Sequence, residues 1–212
     1  MTRPPGGRPR AVLWDVGNVI VDWSPRRLYL KIFEEPAACD RFLSSVCTMA
    51  WHTETDRGLP PDDNTAALIA RFPHHEAEIR AWWGRWGEMF GGVIVQTERA
   101  IEALAARGVP QFGLTNMWTG TWPDVQAMSP AFRHLRDTVV SAEVGLVKPD
   151  PAIFAATCVR SGLSPRDLLF VDDSAANIAA AAALGFHVHR FENPNALAPA
   201  LVAHGLLEAG DL

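Results

Sequence analysis

"RAVLWDVGNVIVDW", residues 10–23, decides the fold. Its first half is apolar and rich in Val and Leu, as a buried strand should be. Asp15 interrupts that run, and Gly17-Asn18 break it directly afterwards. A carboxylate is costly inside a core unless it is paired. It is natural at the end of a parallel strand, where ligands bind. The stretch therefore reads as a first strand that carries Asp15 to the rim of a sheet.

The pattern repeats further along. "PQFGLTN" (110–116), "DTVVSA" (137–142), "DLLFVDD" (167–173) and "FHVHRF" (186–191) read as strands beside "AVLWDV" (11–16). Helical segments separate them. Thr97–Arg107 has apolar residues at helical spacing and a stop at Gly108. "DPAIFAATCVRSG" (150–162) opens on Asp150 as N-cap with Pro151 at the first helical position, and ends at Gly162. "SAANIAAAAALG" (174–185) starts at Ser174 and ends at Gly185. Alternation of this kind predicts an α/β, Rossmann-like parallel sheet with helices on both faces.

One region departs from it. Residues 24–95 carry helical pattern and almost no strand; "PPDDNTAALIARF" (60–72) and "HHEAEIRAWWGRWGEMF" (74–90) are examples. They read as a small helical cap inserted after the first strand. Residues 11–23 and 96–212 then form the core, and residues 1–10 a loose tail.

Composition fits an ordinary globular domain with a small insertion. Of 212 residues, 48% are apolar and 20% charged, and the net charge is -5. No basic run suggests nucleic acid, and no apolar stretch is long enough to span a membrane. Cys39, Cys47 and Cys158 form no C-x-x-C pair, which suits a reducing compartment. A cytoplasmic location is expected, with a small molecule as partner. A homodimer is compatible with the sequence.

Chemistry gathers at the strand ends. Asp15, Thr115-Asn116 and Asp172-Asp173 would meet at one edge, with Lys148 close by in "VGLVKPDPAIF". Crowded carboxylates resist ionising together unless a cation joins them. Mg2+ suits such a site, because it takes carboxylates and phosphate oxygens. Asp15 can then attack phosphorus. Backbone N–H groups of Gly17 and Asn18, and donors from Thr115 and Asn116, would hold phosphoryl oxygens. Lys148 would neutralise developing charge.

"LWDVGNVIVDW", "FGLTNMW", "VGLVKPDPAIF" and "LLFVDDSAANI" resemble the four ordered motifs of the haloacid dehalogenase superfamily of hydrolases. The resemblance covers roughly residues 11–190, and the cap's place resembles the subfamily with a helical insertion between motifs one and two. It is most similar to sugar-phosphate phosphatases of the D-x-G-N-V type, the glucose-1-phosphate group among them. The resemblance implies a Mg2+-dependent phosphatase acting on a small phosphorylated metabolite through an aspartyl-phosphate. It implies Asp15 as nucleophile and metal ligand, Thr115 and Asn116 as phosphate binders, and Lys148 as the stabilising base. It also implies Asp173 as the main second metal carboxylate with Asp172 beside it, and a metal contact from the Gly17 carbonyl. Asn177 stands where many members have a further acid.

Gly17 is the departure. The common motif is D-x-D, whose second Asp serves as proton donor and base. Its loss leaves three readings. The proton comes from the cap or solvent, or the leaving group needs none, or the substrate is a 2-haloacid and the chain a metal-independent dehalogenase. A non-catalytic phospho-ligand binder is the remaining alternative. His52, Glu54 and Asp56 in "WHTETDRG" are a candidate proton source, although a solvated polar loop is the favoured reading of that stretch. Trp118 is a pocket candidate beside its motif. Trp82, Trp83 and Trp86, at helical spacing, read as cap core. Arg26-Arg27 either contact substrate or face water.

Overall fold

The computed structural model describes residues 7–211. Seven strands occur among them: β1 (Ala11–Trp14), β2 (Val21–Trp23), β3 (Phe90–Val93), β4 (Gln111–Thr115), β5 (Thr138–Val140), β6 (Leu168–Asp172) and β7 (His187–Arg190). Five form a wholly parallel sheet in the order β5-β4-β1-β6-β7. The fold is the α/β, Rossmann-like arrangement that the strand–helix alternation predicts.

The period-two alternation of β1 builds both faces of the core. Val12 and Trp14 pack on one side with Ile101, Leu104, Leu169 and Leu201. Ala11 and Leu13 pack on the other with Phe112, Ile153, Phe154 and Phe170. All four β1 residues are fully buried. Each such large side chain stabilises the sheet by about 1.5–3 kcal/mol. That packing holds the end of β1 in place against the cost of burying a carboxylate there. One polar bridge crosses the first face: Gln111 accepts from Trp14 Nε1 at 3.0 Å and donates to the Ile101 carbonyl at 2.9 Å.

The helix ends follow the sequence. The helix Pro151–Ser161 is capped by the Asp150 side chain, which accepts from Ala152 N–H, and it stops at Gly162 with φ 68°. The helix Ala175–Ala183 opens on Ser174, and its Ala-rich face lies close against β6 and β7.

Between β2 and β3 the chain forms the helices Pro25–Tyr29, Pro36–Ser45, Met49–Asp56, Pro61–Arg71 and Glu76–Gly84. They enclose a core of their own around Tyr29, Phe42, Leu68, Ile79 and Trp82. Three expectations need correction here. The segment is not strand-free, because β2 and β3 pair as an antiparallel ribbon at its base, so residues 21–23 lie outside the main sheet. The helix expected over 74–90 ends at Gly84, and after a 3-10 turn at Trp86–Met89 the chain is extended. Gly91-Gly92 explain the change, since Gly92 adopts φ 107° and glycine favours no helix. Residues 8–10 are not loose: Pro9 is buried, and Arg10 joins Asp167 through its backbone N–H at 2.8 Å and its guanidinium at 3.0 Å. Residues 1–6 of the expected tail lie outside the described residues. No described helix is long and apolar enough to cross a membrane.

Gly113 tests the sheet. A Cβ there would lie 2.6 Å from Thr138 Oγ1 and 2.7 Å from its Cγ2. Thr is stiff about χ1 and cannot swing clear. Gly113→Ala should lose about 1–3 kcal/mol. A lower urea midpoint at unchanged slope would register it.

Candidate active site

Asp15 extends β1 by one residue: its N–H donates to the Val171 carbonyl at 2.9 Å. β4 and β6 flank β1, so their carboxyl ends bring Thr115, Asp172 and Asp173 to the same edge. The chain leaves β1 in opposite directions on its two sides, which opens a crevice at that point. A cavity of about 180 Å³ lies there. Asp15, Gly17, Thr115, Lys148 and Asp173 are on its core side.

Lys148 organises the carboxylates. Its ammonium donates to Asp15 Oδ1 at 2.7 Å, Asp172 Oδ2 at 2.8 Å and the Leu114 carbonyl at 3.0 Å. All three of its N–H bonds are thereby taken. Burial alone would pull its pKa down, but the charges of Asp15 and Asp172 outweigh that and hold it up. Asp15 Oδ1 also accepts the Val16 N–H at 2.7 Å. Oδ2 takes no hydrogen bond from the described residues.

Burial drives the Asp15 carboxyl well above the usual carboxylate range; Lys148 opposes this, and Asp172 and Asp173 add to it. Asp173 is raised by burial and by Asp172. Oxygens of Asp15, Asp172 and Asp173 lie within 4.8 Å of one another. One ammonium thus faces three carboxylates, and a hard divalent cation fits the remaining imbalance.

Several expected roles change with the geometry. Asp172 is in the cluster by distance but is fully buried. Its four lone-pair positions are filled: Oδ1 by Ser174 N–H and Asn177 Nδ2, Oδ2 by Lys148 and the same Asn177 amide. It anchors Lys148 and is not free for a metal. Asn177 is likewise a clamp on Asp172. Asn116 lines the cavity, yet its side chain is turned away: Oδ1 accepts the Lys148 N–H at 2.8 Å and Nδ2 donates to the Lys148 carbonyl at 3.1 Å. It sets the height of the Lys148 loop. The Asn18 N–H, expected on phosphate, donates instead to the Val21 carbonyl at 2.7 Å. Asn18 sits at φ 59°, with Oδ1 accepting the Trp23 N–H at 3.0 Å. Trp118 does not line the cavity; its neighbour Met117 does. Arg26 pairs with Asp40, and Arg27 with Asp22 and the Met89 carbonyl.

The opposite wall comes from the inserted helices and the ribbon. Trp23, Met49, His52, Asp56, Trp86 and Phe90 line it. "WHTETDRG" is therefore not a solvated loop. Its first six residues belong to the helix Met49–Asp56, and the i, i+4 spacing puts His52 and Asp56 on the same inward face. His52 is 4% and Asp56 3% exposed, while Glu54 points outward. Indoles surround His52, with Trp23, Trp82, Trp83 and Trp86 all 5.1–5.6 Å away. Burial lowers its pKa to about 4, so it is neutral near pH 7. Burial raises Asp56 to about 7, with Lys148 opposing. The spacing of His52 and Asp56 was visible in the sequence; their burial was not. Trp82 is core as expected, Trp83 and Trp86 pack against the same cluster, and Trp86 also lines the cavity.

The Asp56 shift has a consequence for stability. Its folded pKa is raised above the unfolded value of 3.8, so its favourable contribution is present below pH 4 and is lost as pH rises through about 7. Asn carries no charge to bury. Asp56→Asn should leave stability nearly unchanged at pH 4 and raise it by roughly 2–4 kcal/mol at pH 8. Urea titrations at the two pH values measure the difference.

Comparison with known proteins agrees with this architecture. The family model for haloacid dehalogenase-like hydrolases matches residues 9–185. Mouse acyl-CoA dehydrogenase family member 10 is 34% identical over 97 residues, which are 45% of this chain and 9% of that protein. Among solved structures, a haloacid dehalogenase family enzyme of Bacteroides thetaiotaomicron in complex with magnesium and inorganic phosphate is 18% identical. It superposes with a TM-score of 0.66, covering 89% of this chain and 98% of that one. The L-2-haloacid dehalogenase of Xanthobacter autotrophicus with chloropropionic acid covalently bound is 16% identical, with a TM-score of 0.62 over 94% and 84%. The match over most of its length, together with the sheet edge that gathers Asp15, Thr115, Lys148 and Asp173, makes this chain a member of the haloacid dehalogenase-like hydrolases.

Proposed function

We propose that the protein is a Mg2+-dependent phosphatase that hydrolyses a small phosphorylated metabolite through an aspartyl-phosphate. The observation that carries this reading is the surplus of carboxylate around Asp15. Asp173 makes no ion pair among the described residues, and its place beside the Asp15 carboxylate has a use if a metal and a phosphoryl group share the cavity. The similar enzyme of Bacteroides thetaiotaomicron holds magnesium and inorganic phosphate.

Asp15, Asp173 and the Gly17 carbonyl would hold the cation. When bound, it would screen the carboxylates and withdraw charge from phosphoryl oxygens. The chain's own groups do the rest. Asp15 Oδ2, free of protein hydrogen bonds, attacks phosphorus. Lys148 keeps Oδ1 turned away and stabilises negative charge as it develops. Thr115 offers a hydroxyl to the phosphoryl oxygens. The aromatic wall of Trp23, Trp86 and Phe90 excludes water and takes the leaving group. A sugar phosphate suits it, since aromatic faces line many ligand pockets and stack on sugar rings.

Gly17 favours a second reading, a 2-haloacid dehalogenase, because a halide leaves without a proton. Two measurements decide between them. The purified protein should release p-nitrophenolate from p-nitrophenyl phosphate with Mg2+ and lose this in EDTA, and Asp15→Asn should fall to background. No turnover by the wild type, or metal-independent halide release from 2-chloropropionate, would sink the phosphatase.

A further inference from the structure

The cavity has a carboxyl group that the steps above do not use. Asp56 reaches it from the helix Met49–Asp56, opposite the side that carries Asp15. Its Oδ1 is buried and has no hydrogen-bond partner. Its Oδ2 lies 3.6 Å from His52 Nε2. Such an unmatched group is costly unless a ligand or reaction gives it a role.

Elimination narrows that role. The titratable groups lining the cavity are Asp15, His52, Asp56, Lys148 and Asp173. Asp15 is the proposed nucleophile, and Asp173 faces the proposed cation. Lys148 has all three N–H bonds engaged. His52 is neutral and walled by indoles, with Nδ1 unpartnered. Asp56 remains. At Gly17, where a motif-one acid would stand, an added Cβ would meet nothing within 4 Å. Gly17 and Asp56 line the same cavity.

The geometry points to Asp56 as the general acid and base of the reaction, supplied by the inserted helix in place of the side chain that Gly17 lacks. This rests on the phosphatase reading. In the first step Asp15 Oδ2 bonds to phosphorus and the bond from phosphorus to the leaving oxygen breaks. The Asp56 proton passes to that oxygen, which departs as an alcohol. In the second step a water oxygen attacks the phosphorus of the aspartyl-phosphate. One water proton passes to the Asp56 carboxylate, and the phosphorus–Oδ2 bond breaks. Inorganic phosphate leaves, and both carboxyl groups return to their starting states.

The surroundings suit that cycle. A carboxyl group that is to donate near neutrality must be desolvated enough to keep its proton there. His52 beside it is neutral, Asp56 is 3% exposed, and its burial outweighs the opposing charge of Lys148. Position is set from the core. Ser141 Oγ accepts the Met117 N–H at 2.9 Å and donates to the Asp56 carbonyl at 2.6 Å. Ser141 is thus a positioning residue that ties the loop after β4 to the end of the inserted helix.

Leaving-group dependence tests the assignment. p-Nitrophenolate departs without a proton, whereas an alkoxide does not. With p-nitrophenyl phosphate and Mg2+, Asp56→Asn should keep a stoichiometric burst of p-nitrophenolate and then turn over roughly 10²–10⁴-fold more slowly than wild type. With glycerol 2-phosphate the burst should vanish and the rate fall by a similar factor. Should Asp56→Asn not fold, Asp56→Ser carries the same test. Glycerol phosphate turnover within about threefold of wild type would overturn the role, given the usual size of acid–base contributions. Equal loss of the burst on both substrates would also overturn it. A wild type inactive on both substrates would instead remove the phosphatase reading, and this assignment with it.

Discussion

The Lys148 ammonium lies between Asp15 and Asp172, out of water, and the rest of the site is arranged around that contact. Two buried carboxylates cannot stand side by side in a core without a countercharge. The chain secures the lysine from every direction. Asn116 grips its backbone on both sides, Asp172 and the Leu114 carbonyl hold its ammonium, and Asn177 completes the shell of Asp172. Leu114 and Asn116 come from the end of β4, and Asp172 and Asn177 from the end of β6 and the helix after it. The parallel sheet is what brings them together, because β4, β1 and β6 are neighbours whose carboxyl ends share one edge.

That arrangement divides two adjacent acids between two tasks. Asp172 faces inward and is saturated by hydrogen bonds; Asp173 faces the cavity and is not. Period-two alternation at a strand end produces the division. Asn18 adds a link between the site and the segment above it. Its left-handed backbone lets its N–H bond the Val21 carbonyl while its side chain accepts the Trp23 N–H.

The inserted helices do more than cover the sheet. They supply an aromatic wall and a dry carboxyl group, and Ser141 fixes their height above the core. The absence of a side chain at Gly17 and the presence of Asp56 across the same space make one coherent design.

Much of this was legible in the residues. The apolar runs, the caps at Asp150 and Ser174, and the stop at Gly162 predict the sheet and its helices, because they depend on neighbours in the chain. Asp15, Thr115, Lys148 and Asp173 were legible as a group for the same reason: strand ends in a parallel sheet share an edge. The β2–β3 ribbon was not, since its partners are almost 70 residues apart and its Gly-rich half resembles a loop. Nor were the duties of Asp172, Asn116 and Asn18, which turn on which lone pairs and N–H groups are already taken. Asp56 is the clearest case. Its sequence neighbourhood is polar and reads as solvated, and only the folded chain, with His52 beside it and Ser141 on its carbonyl, shows it buried in the cavity wall. The sequence by itself determined which elements form and which acids reach the sheet edge, because those follow from local periodicity. The tertiary structure alone decided which of the acids are satisfied and which are left facing the cavity, because hydrogen-bond saturation and desolvation depend on groups distant in the chain.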